Sequence, residues 1–151
     1  MKKNFVFVFV LSFILSLLNS IGLFVGLLNR PANTVYLGTI HYFEDYFLYI
    51  NHFFQGAHGA FLTANRFTGE TTPASLPYWP NLILGKLGGL VGLSPIGSYH
   101  VSLFILTILT IFVMYFLLEK MFPKSKIKAF IGFLFAFLST SLINHIYVDG
   151  K

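Results

Sequence analysis

The stretch that decides the fold is Met1-Lys2-Lys3-Asn4 followed by FVFVFVLSFILSLLNSIGLFVGLL, the apolar run from Phe5 to Leu28. The run contains no charged residue, and its length of about 24 residues corresponds to roughly 36 Å of α-helix. A hydrocarbon core of about 30 Å can be crossed by such a helix with some tilt. The run is longer than the apolar part of a signal peptide, and no Ala-x-Ala-like site follows it. We therefore expect an uncleaved first transmembrane helix at 1–28.

The rest of the chain has the composition of a membrane protein. Hydrophobic residues make up 56% and charged residues 10% of the sequence, whereas about a quarter of the residues in soluble domains are charged. Two further apolar runs predict a second transmembrane helix at 101–118 and a third at 129–148. The predicted fold class is an all-α membrane protein with three transmembrane helices and an extracytoplasmic loop that contains interfacial amphipathic helices. The absence of cysteine excludes disulfides and thiolate metal sites.

Basic residues flank the predicted spans unevenly. Lys2 and Lys3 precede the first span, and four lysines lie in the 119–128 loop. The 29–100 segment carries only Arg30, Arg66 and Lys86. The positive-inside rule then places the N-terminus and the 119–128 loop in the cytoplasm, and 29–100 and 149–151 outside a plasma or inner membrane. The net charge of +5 reflects this topology, and no basic groove for nucleic acid is predicted.

The outward segment contains two predicted interfacial helices. Apolar residues recur at helical spacing over about 39–55, and about 81–93 is apolar but too short to cross a bilayer. On the first of these helices, His41, Asp45 and His52 fall on one stripe, with Glu44 beside Asp45.

Two explanations fit this polar stripe. A carboxylate can accept a proton from an attacking hydroxyl, or both carboxylates can hold a divalent cation that neutralises a phosphate. The alternative is a solvated helical face on which Asp45 pairs with His41. A zinc site that includes His41 and His52 is disfavoured, because these residues are roughly 16 Å apart along the helix axis.

Four segments of the outward loop resemble the N-terminal part of GT-C-type polytopic membrane glycosyltransferases: His41–Tyr46, Gln55–Gly59, Asn65–Phe67 and Tyr78–Asn81. Enzymes of that superfamily move a sugar from a polyprenyl-phosphate carrier to an acceptor on the external face. Their first outward loop carries an essential acid that serves as base or metal ligand. The resemblance implies that Asp45 is the essential catalytic carboxylate and that Glu44 acts beside it. It also implies that both carboxylates are ligands of Mg²⁺ or Mn²⁺.

The predicted substrate-binding residues are Arg66, His41 and His58. Arg66 offers a bidentate fork to the phosphate of a lipid-linked donor, and the histidines assist. The alternative for Arg66 is contact with the phosphates of lipid headgroups. The predicted partners are accordingly membrane lipid and a polyprenyl-phosphate sugar.

The superfamily has more spans than this chain supplies. We therefore expect an N-terminal piece of a larger enzyme, inactive by itself and completed by further spans or by a membrane partner. The alternative from another class is a small non-enzymatic accessory or assembly protein of the membrane, whose aromatic outward loop docks a partner.

Overall fold

The computed structural model describes residues 2–39, 43–70 and 73–136, without the side chains of 2–4, 43 and 44. Within these ranges the chain is helical and contains no strand. The helices are α1 (Lys2–Asn19), α2 (Ile21–Leu28), α3 (Phe43–Ala57), α4 (Trp79–Leu90), α5 (Pro95–Met121) and α6, which covers 126–136 of the described part. The prediction of an all-α chain is confirmed.

Among the helices of the described residues, one, α5, is long and apolar enough to cross a membrane. A second candidate span exists if the bent pair of α1 and α2 is counted as one span. The three-span prediction is confirmed only to this extent, because 137–148 of its third span lie outside the described residues. Helix α5 begins before the predicted start at 101, since Pro95 opens it and the Oγ of Ser94 accepts the N–H of Gly97 at 3.1 Å.

The predicted continuous helix at the start of the chain is instead two helices that meet at Ser20 with an angle of 43°. The Oγ of Ser20 donates a hydrogen bond to the Ser16 carbonyl oxygen at 3.0 Å. The backbone N–H of Ser20 is shared between the carbonyls of Ser16 and Leu17. A hydroxyl group that donates to the carbonyl oxygen one turn earlier in the helix weakens the backbone hydrogen bonds there, and the helix bends. A local competition for carbonyl oxygens therefore explains the bend.

The chain divides into two compact units, of which the first contains the residues up to Leu15 and from Thr107 onward. In this unit the ring of Phe5 on α1 meets that of Phe112 on α5 edge-on at 4.9 Å. On the same helix, Tyr115 lies 6.1 Å from Phe133 of α6, measured between ring centroids. Aromatic contacts thus join three helices in this unit.

The second unit, Ser16–Leu106, is built around the packing of α3 against α4. A Cβ on Gly56 would collide with the carbonyl oxygen of Leu82, and a Cβ on Gly85 would collide with that of Phe53. Glycine inside a helix costs roughly 0.5–1 kcal/mol relative to alanine. Here the two glycines allow the helix backbones to approach each other more closely than any other residue would.

Residues with positive φ lie at the ends of α3 and α4. Gly59, with φ +87°, follows α3, and Gly92, with φ +79°, follows α4. The residue before α4 is different, because Tyr78 adopts φ +65° without the freedom of glycine. A left-handed backbone costs a side-chain-bearing residue about 1–2 kcal/mol, so the surroundings of Tyr78 must hold it there.

We expect Gly56→Ala and Gly85→Ala each to lower the free energy of unfolding by roughly 1–3 kcal/mol, because the added methyl forces the two helices apart. The measurement is thermal unfolding in detergent, followed by circular dichroism. The matched control is Gly22→Ala on α2, where a Cβ meets nothing within 4 Å, and we expect a gain of roughly 0.5–1 kcal/mol there because alanine favours the helix over glycine. Equal effects at all three positions would contradict the close approach.

Candidate functional site

The predicted catalytic acid, Asp45, lies in the first turn of α3, and its side chain is exposed. The positive end of the helix dipole stabilises a carboxylate at this position. His41 lies outside the described residues, as does the side chain of Glu44. The structure therefore describes the side chain of one member of the predicted acidic pair, and the roles of all three residues stay predictions.

The predicted divalent cation would need both carboxylates. Residues 44 and 45 follow each other in α3, and side chains of successive helical residues point about 100° apart. The helix does not by itself direct both carboxylates at one ion. Across 2–39, 43–70 and 73–136, no group of three His, Asp or Glu side chains forms a metal site. Mg²⁺ or Mn²⁺ at this position stays a prediction.

A cavity with both polar and apolar lining residues lies next to Tyr46, the residue that follows Asp45. It has a volume of about 330 Å³, at the lower end of the range for small-molecule sites. Its wall comes from the bend between α1 and α2, from α3 and from the start of α5. The polar lining residues are Asn19, Ser20, Tyr36, Thr39, Tyr46, Tyr99 and His100. Hydroxyl, amide and imidazole groups supply both donors and acceptors, so this bend cavity suits a small ligand rich in hydroxyl groups.

Tyr46 is a neutral hydrogen-bonding group in the wall of the bend cavity. It is buried, and its hydroxyl lies 3.5 Å from the Nε2 of His100. Burial raises the pKa of Tyr46 to about 12, and the neighbouring Tyr99 and Tyr36 act in the same direction. Gly38 leaves the space for this contact: it has φ +86°, and a Cβ there would lie 2.7 Å from the Tyr46 hydroxyl. The phenol therefore keeps its proton at physiological pH.

His52 does not share the exposed face of Asp45, contrary to the predicted polar stripe. Its side chain is only 3% exposed, and its ring stacks on that of Tyr78 at 4.5 Å with an interplanar angle of 16°. Its Nδ1 has no hydrogen-bond partner among the described residues. Burial lowers the pKa of His52, because the charged form loses its hydration. His52 is thus a neutral packing residue, and its stacking contact helps to hold Tyr78.

Gln55 has a role that the helical pattern did not indicate. Its side-chain Nε2 donates to the carbonyl oxygen of Ala64 at 2.9 Å, and its Oε1 accepts the N–H of the same residue at 2.9 Å. The amide thus pairs with the loop as a neighbouring strand would. Thr63 and Ser75 exchange backbone hydrogen bonds beside this pair. The one signal in the sequence for the burial of Gln55 is its position directly before Gly56, because a glycine inside a helix indicates close packing against another element.

Two of the predicted substrate-binding residues, Arg66 and His58, meet at the exposed ring of Phe54. The guanidinium of Arg66 lies 5.6 Å from the ring centroid, within the range of a cation–π contact. The His58 ring lies 4.1 Å from the same ring. Its Nδ1 is 2.8 Å from the Phe54 carbonyl oxygen, so Nδ1–H donates to that oxygen.

The Arg66–His58 pair is separate from Asp45. Phe54 comes nine residues after Asp45 on the same helix, which corresponds to about 13 Å along the axis. A single phosphate cannot bridge this distance. The structure therefore brings Arg66 and His58 together and places both away from Asp45.

We expect the stability of the protein to fall between pH 7.5 and pH 5.5, and His52 to contribute to this fall. Because its pKa in the folded state lies below the usual 6.5, the unfolded chain takes up a proton there that the folded chain does not. One such proton contributes at most about 1.4 kcal/mol per pH unit. His52→Phe, which keeps a ring against Tyr78, should reduce the slope.

The measurement is the unfolding temperature in detergent across this pH range. The control is Gly22→Ala, which changes no titratable group and should leave the slope unchanged. An unaltered slope in His52→Phe would show that His52 is not held neutral.

Comparisons with protein-family models, with curated proteins and with solved structures give no match to this chain. The resemblance to GT-C-type enzymes rests on its segments between residues 41 and 81 and stays a prediction.

Proposed function

We propose that this chain supplies the acidic outward loop of an integral membrane glycosyltransferase, which transfers a sugar from a polyprenyl-phosphate donor on the extracytoplasmic face. The observation that carries the proposal is the exposed Asp45 carboxylate in the first turn of α3. The next residue, Tyr46, lies in the wall of a cavity of about 330 Å³, which Asp45 itself does not line. Hydroxyl and amide groups in that wall match the donors and acceptors of a sugar. A helix of membrane-spanning length agrees with a lipid-linked donor.

In the proposed reaction Asp45 is the general base. Its carboxylate takes the proton of the acceptor hydroxyl while that oxygen forms a bond to the anomeric carbon of the sugar. The bond between this carbon and the phosphate oxygen breaks, and polyprenyl phosphate leaves with the electron pair. The exposure of Asp45 supports this role, because an acceptor can reach it from the water side.

Arg66 and His58 take a second role in this proposal. Because they are grouped around Phe54, at a distance from Asp45, they would bind a part of the donor or acceptor that lies away from the reacting carbon. The planar guanidinium is suited to a carboxylate or phosphate of the acceptor there, because the phosphate of the donor is bonded to the reacting carbon itself.

We expect Asp45→Asn to lower the rate of sugar transfer by about 10²–10⁴-fold, the usual contribution of a general base. The assay uses membranes that contain the protein in its cellular context and a panel of short-chain polyprenyl-phosphate hexoses. The matched control is Glu44→Gln, which removes the adjacent charge and should cost less than tenfold if Asp45 alone is the base. Membrane insertion of each variant is verified by extraction.

The alternative function is that of an accessory protein whose outward loop docks a partner in the membrane. It is favoured by the exposure of large apolar side chains in that loop, with Phe61 at 76%, Leu76 at 65% and Phe67 at 62%. If Asp45→Asn and Glu44→Gln both leave the cellular function intact, this alternative replaces the enzymatic one.

The proposal includes the orientation given by the lysines, with the N-terminus in the cytoplasm and 29–100 outside. We expect a cysteine at Ala74 to react with a membrane-impermeant maleimide on intact cells. A cysteine at Ser125 should react only after permeabilisation. The natural chain contains no cysteine, so each variant reports on one site. The reverse labelling pattern would contradict the orientation and the extracytoplasmic site with it.

A further inference from the structure

A second cavity lies between α4 and the loop that precedes it, and its lining differs from that of the bend cavity. Its volume is about 210 Å³, and its walls come from the loop before α4 and from α4 itself. Its main lining residues are Phe61, Leu76, Trp79, Leu82, Ile83 and Lys86. We refer to this space as the Lys86 cleft.

The chemistry of the Lys86 cleft is that of an amphiphile site. Its lining side chains carry two kinds of hydrogen-bond donor, the Lys86 ammonium and the Trp79 indole N–H, and no oxygen acceptor. A sugar or a peptide would need acceptors as well as donors. A phosphate diester offers only acceptor oxygens, and the aromatic and aliphatic walls match a hydrocarbon chain.

Lys86 is the one charged residue of α4. Its Nζ lies 3.9 Å from the centroid of the Phe61 ring, and it has no carboxylate partner among the described side chains. The ammonium is thus held by an aromatic face at the mouth of the cleft, with its charge left uncompensated. An anion that approaches along the apolar wall would supply the missing counter-charge.

The apolar surface continues beyond the cleft. Trp79, Ile83, Leu87 and Leu90 on α4 are between 45% and 77% exposed. An exposed apolar face of this extent with one lysine is typical of a helix that lies in the membrane interface. The same surface therefore offers a lipid chain a path out of the cleft into the bilayer.

We infer that the Lys86 cleft binds one anionic phospholipid, with the lipid phosphate at the Lys86 ammonium and an acyl chain along Phe61, Leu76 and Ile83. This site is independent of the proposed glycosyltransferase activity. It would fix the depth and the rotation of α4 at the membrane surface.

Trp79 is the only tryptophan of the chain and lines the cleft, so its fluorescence reports on lipid in and around the cleft. The protein in nanodiscs is compared with brominated phosphatidylglycerol and brominated phosphatidylcholine as quenchers. We expect half-maximal quenching at an about fivefold lower mole fraction of the anionic lipid, which corresponds to about 1 kcal/mol for one lysine near a charged surface.

Lys86→Gln should abolish this preference, and Lys86→Arg should keep it. The matched control is Lys120→Gln at the end of α5, which removes the same charge outside the cleft and should preserve the preference. Far-UV circular dichroism verifies that the variants are folded.

Three results would overturn the inference. They are equal quenching of the natural chain by both lipids, a preference that persists in Lys86→Gln, and an absence of quenching by either lipid. Relief of the quenching by short-chain polyprenyl phosphate, but not by unbrominated phosphatidylglycerol, would assign the cleft to a different lipid phosphate and would also overturn it.

Discussion

The second unit depends on the approach of two helix backbones at Gly56 and Gly85. Because neither position carries a side chain, the carbonyls of Leu82 and Phe53 can lie directly against the facing helix. This close packing fixes the position of Tyr46 and the other buried residues of α3 relative to α4 and the start of α5. A third glycine, Gly88, leaves room on α4 for the side chain of Ser98 of α5. The walls of both cavities are therefore positioned by residues that take no part in their chemistry.

Around this contact, polar side chains connect the loop to the helices. The Gln55 amide holds Ala64 by two hydrogen bonds, and Asn65 then accepts the N–H of Phe67 in an Asx turn. Arg66 lies within that turn, so its guanidinium is directed by the backbone of the loop as well as by the ring of Phe54. A buried amide on α3 thus determines where a surface cation is presented.

The sequence was sufficient to predict the helical class, because apolar runs without charge and helical periodicity depend only on residue order. It did not predict the bend at Ser20, since serine is common inside apolar helices and its hydroxyl bonds back only where the local geometry allows. The prediction that His52 shares the exposed face of Asp45 on α3 was wrong for a similar reason. Asp45 is exposed, but His52 is buried, because Tyr78 comes from a distant part of the chain and stacks on it. The pairing of Arg66 with His58 also depends on tertiary structure, because Phe54 joins two residues that belong to different local patterns.

The contact between His52 and Tyr78 has a consequence for how this chain can change over evolutionary time. Tyr78 combines a left-handed backbone with a stacked ring, and no other residue type satisfies both demands better. Glycine or asparagine would relax the backbone but would lose the stack on His52, whereas phenylalanine would keep the stack and the strain. Loss of the aromatic ring at position 78 should therefore follow a change at position 52 and not precede it, so that the two positions change as a pair.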